Sequence, residues 1–124
     1  MAQHPEGING LNGYFEWLPN VVVDQHEQGA LRPYYFSPGH PKRTHPFTPQ
    51  LNQDLTAEIS SYTAKALDRI GTTYYSKEGY DDFYYGKGAA YGDAHGSVCL
   101  LYEQGSTRCL LYTSPSPRDT ERSR

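Results

Sequence analysis

Three ionisable side chains, Asp24, His26 and Glu27, come directly after the run of valines at residues 21–23. Three β-branched residues in a row predict a short strand that is buried on both faces. Gly29 then permits a sharp turn. Ligands and metals bind at the carboxyl ends of central strands in open α/β sheets, so this cluster is a candidate site. The same three residues could equally be polar groups that simply end a strand.

A second apolar run, residues 98–102, predicts another buried strand over residues 97–103, which ends in the carboxylate of Glu103. Two buried strands would therefore each deliver one ionisable side chain, His26 and Glu103, at their carboxyl ends. A histidine ligand and a carboxylate base on neighbouring strands is the arrangement that metal-assisted hydrolysis requires.

The composition bounds the class of protein. A chain of 124 residues with 36% hydrophobic content forms at most one small domain with a thin core. A net charge of −3 offers no basic field for nucleic acid or for an anionic membrane. No apolar run approaches the roughly 20 residues of a membrane-spanning helix. The two cysteines allow one bridge but no zinc cluster.

Two helices are expected to position the strands. Residues 4–18 predict the first, with Ile8, Leu11 and Phe15 at helical spacing and Pro19 as a stop. In the second helix Thr48 is the expected N-cap, Pro49 the first helical residue and Gly71 the residue that closes it. Its apolar stripe is expected to pack in the core: Leu51, Leu55, Ile59, Tyr62, Ala66 and Ile70.

Two long segments are predicted to be loops. Residues 30–49 contain five prolines and predict an ordered loop at the mouth of the sheet. It carries four basic or imidazole side chains, for which a solvated loop is favoured over an anion site: His40, Lys42, Arg43 and His45. Residues 74–96 are rich in Gly, Tyr and Asp, a composition typical of a substrate lid.

The chain resembles the zinc carboxypeptidases, the carboxypeptidase A type of metallopeptidase. Three blocks occur in the family's order: Trp-Leu-Pro-Asn-Val-Val-Val-Asp-Gln-His-Glu-Gln-Gly at 17–29, Asp-Asp-Phe-Tyr-Tyr-Gly-Lys-Gly at 81–88 and Leu-Tyr-Glu-Gln-Gly-Ser-Thr-Arg at 101–108. The resemblance covers essentially residues 4–108. It implies an α/β fold, here a fragment of a mixed eight-stranded sheet with helices on both faces and a zinc ion at the sheet edge.

The resemblance also implies the chemistry. His26 stands where the family's last zinc ligand stands, Glu103 where its general base stands, and Tyr84 or Tyr85 would close over the substrate. Zinc would lower the pKa of its water toward about 7 and polarise the scissile carbonyl. Glu103 would take the proton and pass it to the leaving amine. The substrate would be the C-terminus of a peptide or protein, in a secreted or periplasmic enzyme.

One feature of the family is missing. Its first two zinc ligands come as H-x-x-E upstream of the third, and no histidine of this chain has Glu three residues later. The Asn-Arg pair that holds the substrate carboxylate is also expected upstream. A catalytic zinc needs three protein ligands, and His26 is one. Residues 1–108 are therefore expected to be the C-terminal part of a catalytic domain, inactive alone.

The last sixteen positions, residues 109–124, resemble the translation of a sequencing adaptor. They are expected to be a non-native, disordered tail, because their composition cannot build a core. Cys109 would then not be a native partner for Cys99.

Two alternatives stay open. The first is a non-catalytic, peptide-binding relative that keeps the cleft and has lost the metal site. The second, and weaker, is a complete small structural domain. Coding DNA upstream of Met1 that encodes H-x-x-E and Asn-Arg would favour the enzyme over both.

Overall fold

A computed structural model of the chain describes residues 4–29 and 32–106. The helices are α1 (Pro5–Trp17), α2 (Gln50–Ile70) and α3 (Gly88–Tyr91), and short 3-10 turns occupy Pro41–Arg43 and Asp93–His95. The strands are β1 (Val21–Gln28), β2 (Tyr34–Phe36), β3 (Tyr74–Tyr75) and β4 (Val98–Gly105). The predicted tail, 109–124, lies outside the described residues.

The four strands form one mixed sheet in the order β1-β4-β2-β3. β1 runs parallel to β4, β4 is antiparallel to β2, and β2 is parallel to β3. The prediction of a mixed α/β fold is confirmed at this level. The two strands expected from residues 21–24 and 97–103 are neighbours, and both reach farther along the chain than expected.

β1 was expected to be buried on both faces, and this expectation is wrong. Within the described residues β1 is an edge strand, with β4 on one side only. Val21 and Val23 are each 47% exposed, whereas Val98 and Leu100 on β4 are buried. The sequence pattern of β1 suits a central strand, but the described elements do not cover its outer side.

α1 forms where helical spacing predicts it. Pro5 occupies the first turn, and the chain leaves the helix at Leu18 in a left-handed conformation (φ 45°). No residue of α1 is fully buried, and its apolar residues Ile8 and Phe15 are only half covered. The helix is anchored by the Tyr14 hydroxyl, which lies 2.7 Å from Ser97 Oγ, and by aromatic contacts with Tyr91 and His95, which precede β4.

α2 begins one residue later than expected, with Pro49 as its N-cap, and ends at Gly71, whose φ of 71° suits glycine. The expectation that its apolar stripe packs in the core is wrong. Leu51, Tyr62 and Ile70 are largely exposed. The buried side of the helix is instead a stripe of small polar residues: Asn52, Thr56 and Ser60.

The polar stripe of α2 is buried because it is hydrogen-bonded. Asn52 donates to the carbonyl of Ser97 at 2.8 Å, and Ser60 Oγ donates to the carbonyl of Ser37 at 2.5 Å. A hydrogen-bonded polar group can be buried at little net cost, whereas an unpaired one cannot. The helix therefore faces the backbone before β4 and after β2, where the Asn52 amide and the Ser60 hydroxyl satisfy two carbonyls.

Both predicted loops contain regular structure. β2 lies between Pro33 and Pro38 and supplies two of the most buried side chains in the described chain, Tyr35 and Phe36. Between residues 74 and 96 lie β3, α3 and a 3-10 turn, and Ala89 and Ala90 are buried. The lid interpretation therefore does not hold for the whole segment. No helix in the described part of the chain is long and apolar enough to cross a membrane.

Candidate functional site

His26 and Glu103 stand directly opposite each other on adjacent parallel strands. The register of β1 and β4 pairs His26 with Glu103, one step before Glu27 pairs with Gln104. In-register residues of neighbouring parallel strands point to the same face, and the strands lie about 4.8 Å apart. The sheet thus brings together the two residues singled out from the sequence. It exposes the imidazole and buries the carboxylate, with Glu103 only 7% accessible.

Asp24 lies beside His26 on the same face of β1. Its Oδ1 is 2.8 Å from Nε2 of the imidazole. A carboxylate on one ring nitrogen orients the ring and leaves the other nitrogen, Nδ1, for a metal or a proton. A Cβ at Gly88, in α3, would lie 2.3 Å from an Asp24 carboxylate oxygen, so a larger residue there would force the carboxylate to move.

Glu103 is surrounded by tyrosines rather than by cations. Tyr35 is its antiparallel partner on β2, and Tyr80 and Tyr75 stack against Tyr35 with ring centroids 4.2 and 5.2 Å away. Burial, followed by the charge of Glu103, raises the pKa of the Tyr80 hydroxyl to about 12. The Tyr80 hydroxyl therefore stays protonated and can donate a hydrogen bond to the Glu103 side chain.

Gln28 links this tyrosine cluster to both strands. Its Nε2 donates to the carbonyls of Pro33 at 2.7 Å and Glu103 at 3.2 Å. Its Oε1 accepts from the hydroxyls of Tyr75 at 2.6 Å and Tyr80 at 3.4 Å. All four hydrogen-bonding positions of the amide are therefore used, which fixes the backbone just beside the Glu103 side chain.

The hydroxyl of Tyr35 is buried without a hydrogen-bond partner among the described residues. Burial is the main cause that raises the pKa of this phenol, and the charges of Asp82 and Glu103 add to it. Orphaned buried hydroxyls are uncommon in proteins. A polar group is therefore expected to complete this part of the site.

The two lid tyrosines are not brought to the His26–Glu103 pair. Tyr85 packs its ring on His45 at 4.2 Å, and its hydroxyl is 3.3 Å from Thr48 Oγ1. Tyr84 is 68% exposed at the tip of the segment, beside Phe83. Of the predicted substrate-binding residues, Tyr84 is thus exposed, whereas Tyr85 contacts the proline-rich loop.

Two histidines of the proline-rich loop accept hydrogen bonds from backbone N–H groups in local turns. His40 Nδ1 accepts from the backbone N–H of Lys42 at 3.1 Å, and His45 Nδ1 accepts from that of Phe47 at 3.2 Å. Arg43 donates to the carbonyl of Gly79 at 3.4 Å. These contacts organise the loop locally.

A second polar region lies between the loop and the N-terminal half of α2, around a cavity of about 250 Å³. Asp93 lines it, and its Oδ1 accepts from Asn52 Nδ2 at 3.2 Å and from the Cys99 N–H at 3.1 Å. Asp82 also lines it and accepts from the Gly39 N–H at 2.9 Å. Burial raises the pKa of Asp82, and it raises that of Asp93 to about 6.

The raised pKa of Asp93 predicts a pH-dependent stability. The folded protein holds this proton more tightly than the unfolded chain, so between about pH 4 and pH 6 stability falls as the pH rises. Asp93→Asn keeps an Oδ1 acceptor and cannot ionise. We expect the variant to gain about 1–2 kcal/mol relative to the wild type between pH 4 and pH 7, after discounting for partial solvation.

Urea unfolding at pH steps from 4 to 7 measures this difference. Asp54→Asn, the same change at an exposed position of α2, is the matched control and should show a flat difference. A difference between wild type and Asp93→Asn that does not vary with pH would contradict the prediction.

The described residues alone do not fit a catalytic zinc ion. No group of three or more His, Cys, Asp or Glu side chains within residues 4–29 and 32–106 could hold a metal. His26 offers one imidazole nitrogen and Asp24 orients its ring. A complete tetrahedral site would need further protein ligands from outside the described residues.

Comparison with known proteins adds no relative. No protein-family model matches the chain, and neither a curated protein nor a solved structure matches it.

The residues that surround Glu103 were not predicted from the sequence. Gln28 carried a usable signal, since it follows Asp24 and His26 at a spacing of two and so shares their face. For the three tyrosines the only sequence signal was the high tyrosine content of the chain, 12 residues against 4 phenylalanines: Tyr35, Tyr75 and Tyr80. Their convergence depends on the pairing of β2 with β4, which no local pattern indicates.

Proposed function

We propose that residues 1–108 are the C-terminal part of the catalytic domain of a zinc-dependent carboxypeptidase, which hydrolyses the C-terminal peptide bond of peptides or proteins. The observation that carries the proposal is the in-register pair of His26 and Glu103 at the carboxyl ends of two parallel strands. The contact of Asp24 with the His26 ring adds to it, because carboxylates commonly orient metal-binding histidines.

In this proposal Glu103 is the general base. A carboxylate held on a rigid strand, opposite a metal-ligating histidine, can accept a proton from an attacking water and return it to the leaving amine. Zinc, when bound, supplies an acidified water and a polarised carbonyl. The chain's own contribution is to hold the Glu103 carboxylate near His26, with Gln28 fixing the backbone beside it.

The proposal also includes the fold of the complete catalytic domain, a mixed sheet of eight strands with helices on both faces. Two features of the described chain support further packing elements. β1 has an uncovered outer edge, and α2 leaves Leu51, Tyr62 and Ile70 exposed along one stripe. Exposed apolar surface of this extent is typical of faces that contact another part of a protein.

The substrate-contacting role proposed for the lid now falls on Tyr84. Its ring is exposed, so it is available to contact a bound peptide. Tyr85 would support that segment through its contacts with His45 and Thr48.

The test is a longer polypeptide that includes the coding sequence upstream of Met1. The proposal expects an H-x-x-E and an Asn-Arg there, one bound zinc per chain, and release of the terminal amino acid from peptides with a free C-terminus. The same peptides with an amidated C-terminus should be poor substrates. Peptide binding without zinc or turnover would instead favour the non-catalytic relative, and neither binding nor turnover would refute both.

A further inference from the structure

The cavity between the proline-rich loop and α2 is lined by two carboxylates, Asp82 and Asp93. In the described part of the chain neither of them forms a salt bridge. Lys87 places a positive charge near Asp82, but its ammonium is paired with Asp81 at 2.8 Å. Lys77 lines the cavity too, and among the described residues it pairs with neither carboxylate. Buried charged groups normally have a partner, so these two carboxylates lack a counter-charge.

Each of the two carboxylates has one oxygen that the described residues leave unused. Asp93 Oδ1 accepts from both Asn52 and the Cys99 N–H. Asp82 accepts through Oδ2, from the Gly39 N–H. Burial raises the pKa of both carboxyls, and the charge of Asp82 adds to the shift at Asp93. The two groups therefore lie close enough for one ligand to reach both, and a bound cation would favour their ionised forms.

Thr56 gives independent support for a bound group. It lies on the buried side of α2, is only 7% exposed and lines the cavity. Asn52 and Ser60, on the same stripe of the helix, are both hydrogen-bonded. The Thr56 hydroxyl makes no hydrogen bond to any residue that the structure describes. Buried hydroxyls without a partner are uncommon, so a group inside the cavity is expected to bond to this one.

The walls of the cavity favour an organic cation over a metal ion. Across the described ranges, 4–29 and 32–106, three or more His, Cys, Asp or Glu side chains nowhere come together as a metal site requires. Pro38 and Pro41 add apolar wall, which an alkyl chain can cover. The volume of about 250 Å³ is that of roughly eight waters in the liquid, enough for a short carbon chain with an amine at each end.

We propose that this cavity binds a small aliphatic diamine, with one ammonium group on Asp93 and Thr56 and the other on Asp82. The carbon chain lies against Pro38 and Pro41. Ammonium groups donate to the unused carboxylate oxygens and to the hydroxyl, and such charge-assisted hydrogen bonds are about twice as strong as neutral ones. The proposal goes beyond the proposed function and does not depend on zinc or catalysis.

Titration calorimetry of the full 124-residue chain with putrescine, a diamine with a four-carbon chain, tests the proposal. We expect a one-to-one complex. n-Butylamine, which has one ammonium group, should bind about tenfold more weakly, because it leaves one carboxylate without a counter-charge. Butanediol, which has the same carbon chain without charge, should not bind measurably.

Two variants test the assigned contacts. Asp93→Asn should weaken putrescine binding by at least about tenfold, the usual loss when a hydrogen bond to a charged group is removed. That variant is expected to be more stable than the wild type, so its loss of binding would not be a loss of folding. Thr56→Val keeps the shape of the side chain without its hydroxyl and should weaken binding by about fivefold.

Glu58→Gln, which removes a carboxylate at an exposed position of α2, is the matched control and should leave the dissociation constant unchanged. Circular dichroism verifies that every variant is folded. Lys77→Gln should bind putrescine at least as tightly as the wild type, because it removes a competing cation. The proposal is overturned if the wild-type chain does not bind putrescine at millimolar concentration, or if Glu58→Gln weakens binding as much as Asp93→Asn. Binding in Lys77→Gln alone overturns it as well, because the chain then supplies its own cation.

Discussion

Glu103→Gln, made in a longer polypeptide that carries the remaining zinc ligands, is expected to lower kcat by about 10²–10⁴-fold, the usual contribution of a general base. Gln keeps the shape of the side chain and its ability to accept hydrogen bonds from the tyrosine cluster, but it cannot take up the proton. Zinc content should be unchanged, because Glu103 is proposed to stand beside the metal and not to bind it. Steady-state kinetics and metal analysis measure the two effects separately.

Two further variants sharpen this test. Glu27→Gln is the matched control, since Glu27 is an exposed carboxylate on β1 next to His26, and its loss should leave kcat within about twofold. His26→Ala should lose zinc and activity together. Normal turnover in Glu103→Gln would show that the carboxylate only ends a strand, and loss of its zinc would show that it is a ligand.

Local patterns predicted the elements that carry the site. Residues 21–24 and 98–103 lie in strands because β-branched and apolar runs favour extended structure. The long connection between β1 and β4 leaves room for their parallel pairing. The pairing of His26 with Glu103 was within reach of the same argument. Both residues lie two positions before the end of their strand, and neighbouring parallel strands have their carboxyl ends at the same edge of the sheet.

Burial was harder to predict than secondary structure. The spacing of the β1 valines and of the apolar stripe of α2 is typical of buried faces, yet much of each is exposed. Apolar spacing predicts that a face can pack against another element, but it does not show that such an element is present. β2 was missed because Pro33 and Pro38 flank it. Three residues between prolines are too few for a periodicity signal, although Tyr35 and Phe36 are deeply buried.

The second large effect is expected at Gln28. Gln28→Leu fills a similar volume but removes four hydrogen bonds, and it leaves the Tyr75 hydroxyl and the Pro33 carbonyl without their partner. Each unsatisfied buried polar group costs about 1–3 kcal/mol, so the variant should lose about 3 kcal/mol of stability. For a domain of this size the loss lowers the Tm by roughly 10–20 °C. Thermal unfolding followed by circular dichroism measures it.

Gln104→Leu is the matched control for Gln28, because Gln104 lies on the adjacent strand, is exposed and makes one long hydrogen bond to Glu27 at 3.4 Å. That variant should change the Tm by no more than a few degrees, as surface substitutions do.

Gln28→Glu separates hydrogen bonding from charge. It keeps an acceptor for Tyr75 but cannot donate to the carbonyl of Glu103, and it places a second buried carboxylate beside the Glu103 side chain. We expect it to be at least as destabilised as Gln28→Leu at pH 7, and to recover part of its stability as the pH is lowered and the new carboxyl becomes protonated. Equal Tm values for Gln28→Leu and Gln104→Leu would mean that the amide network does not hold β1, β4 and the tyrosine cluster together.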